Sequence, residues 1–406
     1  MGRNFRWLLA SSWISNIGDG LALAAGPLLV ASQTHAPFLV ALAVLLQRLP
    51  WLLFGLHAGA LADRLDRRVL VVSVDLARAA VLVALAATIL TDVVSITVVL
   101  GAMFLLGTAE VFADTTSSTL LPMVVDKGDL GIGNARIMAG MITANQMVGP
   151  PIGAAMFALG MAFPFLVQAV CVALGASLIS RMVTETVPRH TVPSHVRQDI
   201  REGFRWTWGH APVRTLTLAI VTFNVTWGAA WSVLVLYSIK VLEMGSVGFG
   251  MLTSVGAVGG LVGTAAYDWL ERRFSLAWIM RVGLSIETLT HLALAVNTSF
   301  VVALVIMFIF GAHAFVWGTT SRTVRMRAVP NEFQGRVASV YMVGVFGGLV
   351  VGSAVGGVIA GLWGVTAPFW FAFVGSGVIL ALIWRQLDNI AHADEAILAE
   401  SRRGGR

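Results

Sequence analysis

Residues 59–68 read Gly-Ala-Leu-Ala-Asp-Arg-Leu-Asp-Arg-Arg, and residues 268–273 read Asp-Trp-Leu-Glu-Arg-Arg. The second run repeats the acid, any residue, Leu, acid, Arg, Arg order of Asp63 to Arg68 at an offset of 205 residues, half of the 406-residue chain. Each run follows a long apolar stretch and precedes another, so each reads as a short charged turn between two helices. A repeat at half length divides the chain into two parallel units of similar build, a recognised design of membrane transporters in which substrate binds near the midplane.

Composition says what surrounds those units. The chain is 57% hydrophobic and only 12% charged, with a mean hydropathy of +0.83, whereas soluble domains are about a quarter charged. A water-facing surface cannot be covered by so few charges. Apolar runs of about 20 residues, enough to cross ~30 Å of hydrocarbon at 1.5 Å per residue, recur at 7–32, 38–60, 69–91, 94–118, 136–158, 161–183, 213–239, 247–267, 276–297, 299–321, 336–361 and 365–385. The expected fold class is therefore an all-α membrane protein with twelve transmembrane helices in two six-helix halves. Asn16 and Asp19 interrupt the first run, which marks it as a retained helix rather than a signal peptide.

Twelve spans put both termini on one side. The loops on that side hold Arg3, Arg6, Arg64, Arg67, Arg68, Arg272, Arg273, Arg322, Arg325 and Arg327, whereas those on the other hold only Lys240. By the positive-inside rule the termini are cytoplasmic, and the expected location is the inner membrane. The expected divisions are residues 1–185, a cytoplasmic linker at 186–212, residues 213–390 and a cytoplasmic tail at 391–406. In the linker Val196, Ile200 and Phe204 recur every four residues, the pattern of an amphipathic helix on the inner leaflet, with Trp206 and Trp208 at headgroup level.

Several functions are excluded or left without support. The single Cys171 rules out a disulfide framework and a cysteine metal cluster. The net charge of +6 is scattered among loops, so no nucleic-acid partner is expected. No ATP-binding loop occurs, which leaves a gradient as the energy source. Neither cofactor nor metal nor enzymatic activity is expected.

The run Gly59 to Arg68 resembles the signature loop between helices two and three of the major facilitator superfamily. Gly149-Pro150-Pro151-Ile152-Gly153 resembles the glycine and proline motif that antiporters of that superfamily carry in helix five. Glu202-Gly203-Phe204-Arg205, His210 to Arg214 and Gly335-Arg336-Val337 are similar to the branch holding macrolide efflux proteins and the enterobactin exporter. Two departures stand out: Glu110 and Asp114 occupy span four in place of the arginine of drug/proton antiporters, and His57 stands where many branch members carry proline. The resemblance implies that spans one, four, seven and ten line a cavity, which makes Asn16, Asn224, Trp227, Trp231, His313 and Trp317 the substrate-cavity candidates.

Charges inside spans cost several kcal/mol unless paired or hydrated. Asp19 lies ~18 Å up span one and Arg48 ~15 Å down span two, so the two are expected near the midplane and within reach of each other. Glu110 and Asp114, one turn apart, put two carboxylates on one face. These four are the expected proton-coupling residues, with a purely structural ion-pair network as the alternative. Gly59, Asp63, Arg64, Arg67, Arg68, Asp268, Arg272 and Arg273 are the expected gating motif. There Gly59 would permit close helix approach and Asp63 would cap a neighbouring helix, although simple anchoring by the arginines is the alternative. Gly149, Pro150, Pro151 and Gly153 are expected to pack and bend span five.

The function these features favour is proton-coupled efflux of amphipathic small molecules, antibiotics for example, by alternating access. Export of a siderophore or endogenous metabolite is the nearest alternative, and a non-transporting scaffold or lipid-handling protein the more distant one. The expected partners are a small-molecule substrate, protons and membrane lipids, with the chain acting as a monomer.

Overall fold

In hydrocarbon every backbone N–H and C=O must be satisfied within the chain, so apolar runs of this length become helices. The computed structural model describes residues 2–183, 196–330 and 333–391, and it leaves out the side chains of Leu56, Ala60, Asp63, Lys127, Val196, Arg197, Asp199 and Ala391. The helices are α1 (Arg3–Gln33), α2 (Pro37–Arg64), α3 (Arg67–Leu90), α4 (Ile96–Ser118), α5 (Leu121–Val124), α6 (Leu130–Gly140), α7 (Gly149–Leu159), α8 (Phe163–Ser180), α9 (Val196–Gly209), α10 (Ala211–Trp231), α11 (Leu234–Lys240), α12 (Ser246–Arg273), α13 (Leu276–Val296), α14 (Phe300–Ala328), α15 (Gln334–Trp363), α16 (Ala367–Ile383) and α17 (Gln386–Ala391). Among the described residues ten helices are long and apolar enough to cross a membrane, and Ala367–Ile383 is a shorter apolar one. The remaining expected span, 136–158, falls on the run from α6 to α7, which is broken into pieces. The expected linker residues 186–195 and tail residues 392–406 lie outside the described residues.

Two expected spans are interrupted. Between α6 and α7, Met141–Val148 forms a π-helix in which the Gly149 amide donates to the Ala144 carbonyl. The physical cause lies just beyond it, because Pro150 and Pro151 carry no N–H and cannot extend an α-helical ladder backwards. The seventh span likewise ends at Trp231 and resumes as α11.

The chain divides into two compact units, Met1–Pro193 with Val235–Ser254, and Ser194–Leu234 with Val255–Arg406. In unit 1, α8 packs against both α1 and α3, while α2 packs chiefly against α4. The α1 to α7 contact is backbone to backbone: a Cβ at Gly153 would collide with Leu21 carbonyl and Cα atoms. The described core at one end joins Phe5, Leu8, Val71, Leu120, Ile179 and Met182.

In unit 2, α10 packs on α15 and α16, and α13 on α14 and α16, around a core that includes Leu216, Ile220, Phe223, Met280, Leu284 and Val337. Helix α9 lies against α15, where Glu202 bridges Arg336 at 2.8 Å. It exposes Phe204 and Trp208, whose rings stack 5.1 Å apart. Trp206 turns the other way, stacking on His210 at 3.9 Å and on Phe333 at 5.8 Å. It packs against the unit 2 core rather than standing beside Trp208 at headgroup level.

Candidate functional site

Unit 1 gathers its membrane-embedded charges around one guanidinium. Arg78 on α3 donates through Nη2 to Asp19 Oδ1 on α1 at 2.5 Å, and its Nη1 lies 3.7 Å from Asp75 Oδ1 one turn earlier on the same helix. Gln168 on α8 donates to the same Asp19 oxygen at 3.0 Å. Glu110 and Asp114 on α4 also lie within electrostatic reach of Arg78, and Arg48 on α2 acts on Glu110. The side chain of Arg78 is only 6% exposed and that of Asp19 25%, while Asp114 is exposed. The cluster thus runs from a buried centre to an accessible rim.

The expected pairing of Asp19 with Arg48 does not occur. Helix α2 makes its main contact with α4, not α1; a Cβ at Gly107 would stand 2.5 Å from the Gln47 carbonyl oxygen, so the two backbones nearly touch one residue from Arg48. Across this contact Arg48 comes within electrostatic reach of Glu110. Asp19 is met instead from α3, which α8 holds close to α1. Sequence reading missed Gln168 altogether, and only its place in an apolar run, as a polar side chain inside a span, signalled it.

Arithmetic of charge gives the cluster its chemistry. Asp19, Asp75, Glu110 and Asp114 face Arg78 and Arg48, four acids against two guanidiniums. Fully ionised, the set would carry two excess negative charges around a buried guanidinium, a state relieved by binding protons or an organic cation.

The substrate-cavity candidates separate into two groups. Asn16 donates to the Ser12 carbonyl at 2.8 Å and Asn224 to the Ile220 carbonyl at 2.8 Å, each on its own helix four residues back, which occupies one of the two N–H groups of each amide. In unit 2 the rings form a chain. Trp227 and Trp231 stand 5.6 Å apart, Trp231 and Phe310 4.8 Å, and Phe310 and His313 6.1 Å edge to face. His313 Nε2 then lies 3.5 Å from Glu287 Oε2. Trp317 packs against the core of unit 2. Glu287, which stands alone in sequence, acquires its partner only through the packing of α13 on α14.

At the repeated turns, Asp66 caps α3 by accepting from the amides of Arg68 at 2.9 Å and Val69 at 3.2 Å. The capping expected of an acid in this motif is thus performed for α3 by its second acid; the side chain of Asp63 lies outside the described residues. Arg64 is exposed, Arg67 donates to the Ala62 carbonyl at 3.3 Å and Arg68 to the Met182 carbonyl at 2.6 Å, which ties the turn to the end of α8. Among the described residues a Cβ at Gly59 would meet nothing within 4 Å, so close helix approach does not account for this glycine. In the second turn, Arg272 pairs with Asp268 at 2.8 Å with both side chains exposed, Glu271 meets Arg327 at 3.4 Å, and Arg273 is exposed. A Cβ at Gly149 would collide with Gly20, and Pro150 is buried beside it, whereas Pro151 is partly buried.

A family model described as "transmembrane secretion effector" matches residues 2–401. None of the curated proteins matches the chain. Solved structures of similar fold include the nucleoside transporter NupG, 12% identical over 95% of this chain and 99% of that one with a TM-score of 0.71. A bacterial homologue of the human lysosomal transporter Spinster, inward-facing and unoccupied, is 13% identical over 98% and 97% with a TM-score of 0.70. A bacterial homologue of the iron transporter ferroportin in an inward-facing state is 16% identical over 96% and 98%, again at 0.70. At these identities the likeness shows a shared fold.

Proposed function

Because this chain belongs to the transmembrane secretion effector family of major facilitator transporters, and is a multi-pass membrane transporter rather than an enzyme, we propose that it is a proton-coupled exporter of amphipathic, preferentially cationic small molecules. It works from the inner membrane with both termini cytoplasmic. The observation that carries the reading is the unit 1 cluster, in which Asp19 is held by Arg78 at 2.5 Å inside a set of four acids and two arginines. A carboxylate that shares a guanidinium with other acids has a proton affinity that follows every change in their separation. Antiport needs that property: a proton bound in one state is released in the other. The exposed arginines of the cytoplasmic loops support the orientation, and the aromatic chain from Trp227 to Phe310 suits a bulky cation.

The test is Asp19→Asn in proteoliposomes with an imposed proton gradient and a lipophilic cation as substrate. Downhill exchange is expected to survive and uphill export to vanish. Uphill pumping at the normal rate would remove Asp19 from the coupling role and move it to Glu110 and Asp114.

A further inference from the structure

Unit 2 carries ionisable groups that the acid cluster of unit 1 does not use. Glu287 and His291 stand one turn apart on α13, and His313 on α14 meets Glu287, its Nε2 3.5 Å from Glu287 Oε2, with His291 within electrostatic reach. All three are buried, His291 completely. Gly283, one turn before Glu287, makes room for the ring, since a Cβ there would stand 2.9 Å from His313 Nδ1. Three ring nitrogens, both of His291 and Nδ1 of His313, have no hydrogen-bond partner among the described residues.

A neutral imidazole has one N–H to give and one lone pair to fill. If His313 gives its Nε2 proton to Glu287, the lone pair on Nδ1 is stranded; if Nε2 accepts from a protonated Glu287, the N–H on Nδ1 is stranded instead. A structural hydrogen bond therefore leaves one buried nitrogen unused in either form, and it gives no role to His291. A carboxylate and an imidazole in contact away from water instead hold and exchange a proton as a unit. Among the described residues no three acid, histidine or cysteine side chains converge as metal ligands, which sets a metal ion aside.

The neighbouring elements leave the group without other charges at its own level. Helix α16 has no ionisable side chain. On α17, Asp388 takes Arg281 of α13 at 2.6 Å, six residues before Glu287. Helix α14 adds only Arg322, Arg325 and Arg327, at least ~13 Å further along its axis than His313. Helix α10 has only Arg214, in its first turn. Helix α12, against which α14 packs through Gly259 and Gly263, has its ionisable side chains, Tyr267, Asp268, Glu271, Arg272 and Arg273, in its last two turns.

We propose that Glu287, His291 and His313 form a second proton-binding site, built on α13 and α14 and distinct from the acid cluster around Arg78. It goes beyond the coupling role assigned to Asp19 and does not depend on it.

The full-length protein, labelled with 15N-histidine and held in lipid nanodiscs, allows the ring nitrogens to be followed by NMR between about pH 5 and 9, with assignments from His291→Gln and His313→Gln. The His313 ring is expected to titrate within that range. Glu287→Gln is expected to change its proton affinity about tenfold, one pH unit, and Glu287→Asp to restore most of it. Asp19→Asn should leave the His313 titration unmoved, which separates this site from the unit 1 reading. If Glu287→Gln fails to give monodisperse protein, His291→Gln serves in its place, with the His313 resonances expected to shift their midpoint. A His313 ring that stays in one neutral form throughout, or that titrates identically with and without the Glu287 carboxylate, would overturn the proposal.

Discussion

Arg78 and Asp19, on helices that make their main contacts through α8, close a 2.5 Å bridge whose carboxylate oxygen also accepts from Gln168 of α8. Three helices of unit 1 therefore meet in one polar contact, and Asp75 holds the far side of the same guanidinium. Removing one partner of a buried ion pair costs more than the pair contributes, because the other is left uncompensated.

Arg78→Gln is accordingly expected to lower stability by about 3–5 kcal/mol, read as thermal unfolding of the detergent-solubilised protein. Adding Asp19→Asn should recover much of that loss, so that the single costs sum to roughly 1–3 kcal/mol more than the double variant. Strict additivity would show that the two residues do not act as a pair.

The two acids of the first charged turn are expected to respond differently. Asp66→Ala removes the cap of α3 and should cost about 1 kcal/mol of stability, with Asp66→Ser close to the parent. Asp63→Asn is expected to leave folding and substrate binding intact while slowing transport about tenfold, ~1.4 kcal/mol in the barrier, because its contacts would favour one state of the transport cycle. Equal loss of folded protein in both variants would assign Asp63 to structure alone.

Glycines that look alike in the chain are expected to differ sharply on substitution. Gly153→Val drives a side chain into the backbone at Leu21 and should abolish the monodisperse peak or cost at least about 1–3 kcal/mol. Gly59→Ala enters open space and should be tolerated. Size-exclusion profiles of the two variants decide it, and a tolerated Gly153→Val would mean that α1 and α7 can separate at no cost.

Orientation is read by thiol labelling after Cys171 is replaced. A cysteine at the exposed Gln198 of α9 should react with an impermeant reagent only in inverted vesicles, and one at the exposed Thr298 only in intact cells. The opposite pattern would reverse the cytoplasmic assignment of the termini.

What the sequence by itself determined was the class of fold: helices that span a bilayer, arranged as a repeat of half length. The reason is local, since the thickness of hydrocarbon sets the length of an apolar run and the need to satisfy backbone groups leaves the helix as its only open form. That the apolar spans carry the charges Asp19, Arg48, Glu110 and Asp114 was legible in the same way. Which charge meets which was not, because a partner depends on the rotation of each helix about its own axis. That rotation is set by contacts between residues far apart in the chain, such as Gly107 on Gln47 and Gly153 on Leu21. Tertiary structure alone gave Asp19 to Arg78 and Gln168, set Arg48 within electrostatic reach of Glu110 and brought His313 to Glu287. The π-helix before Pro150 lies between these cases: the prolines announced a break, but only the crowding of Gly20, Ala144 and Gly149 decided the form it took.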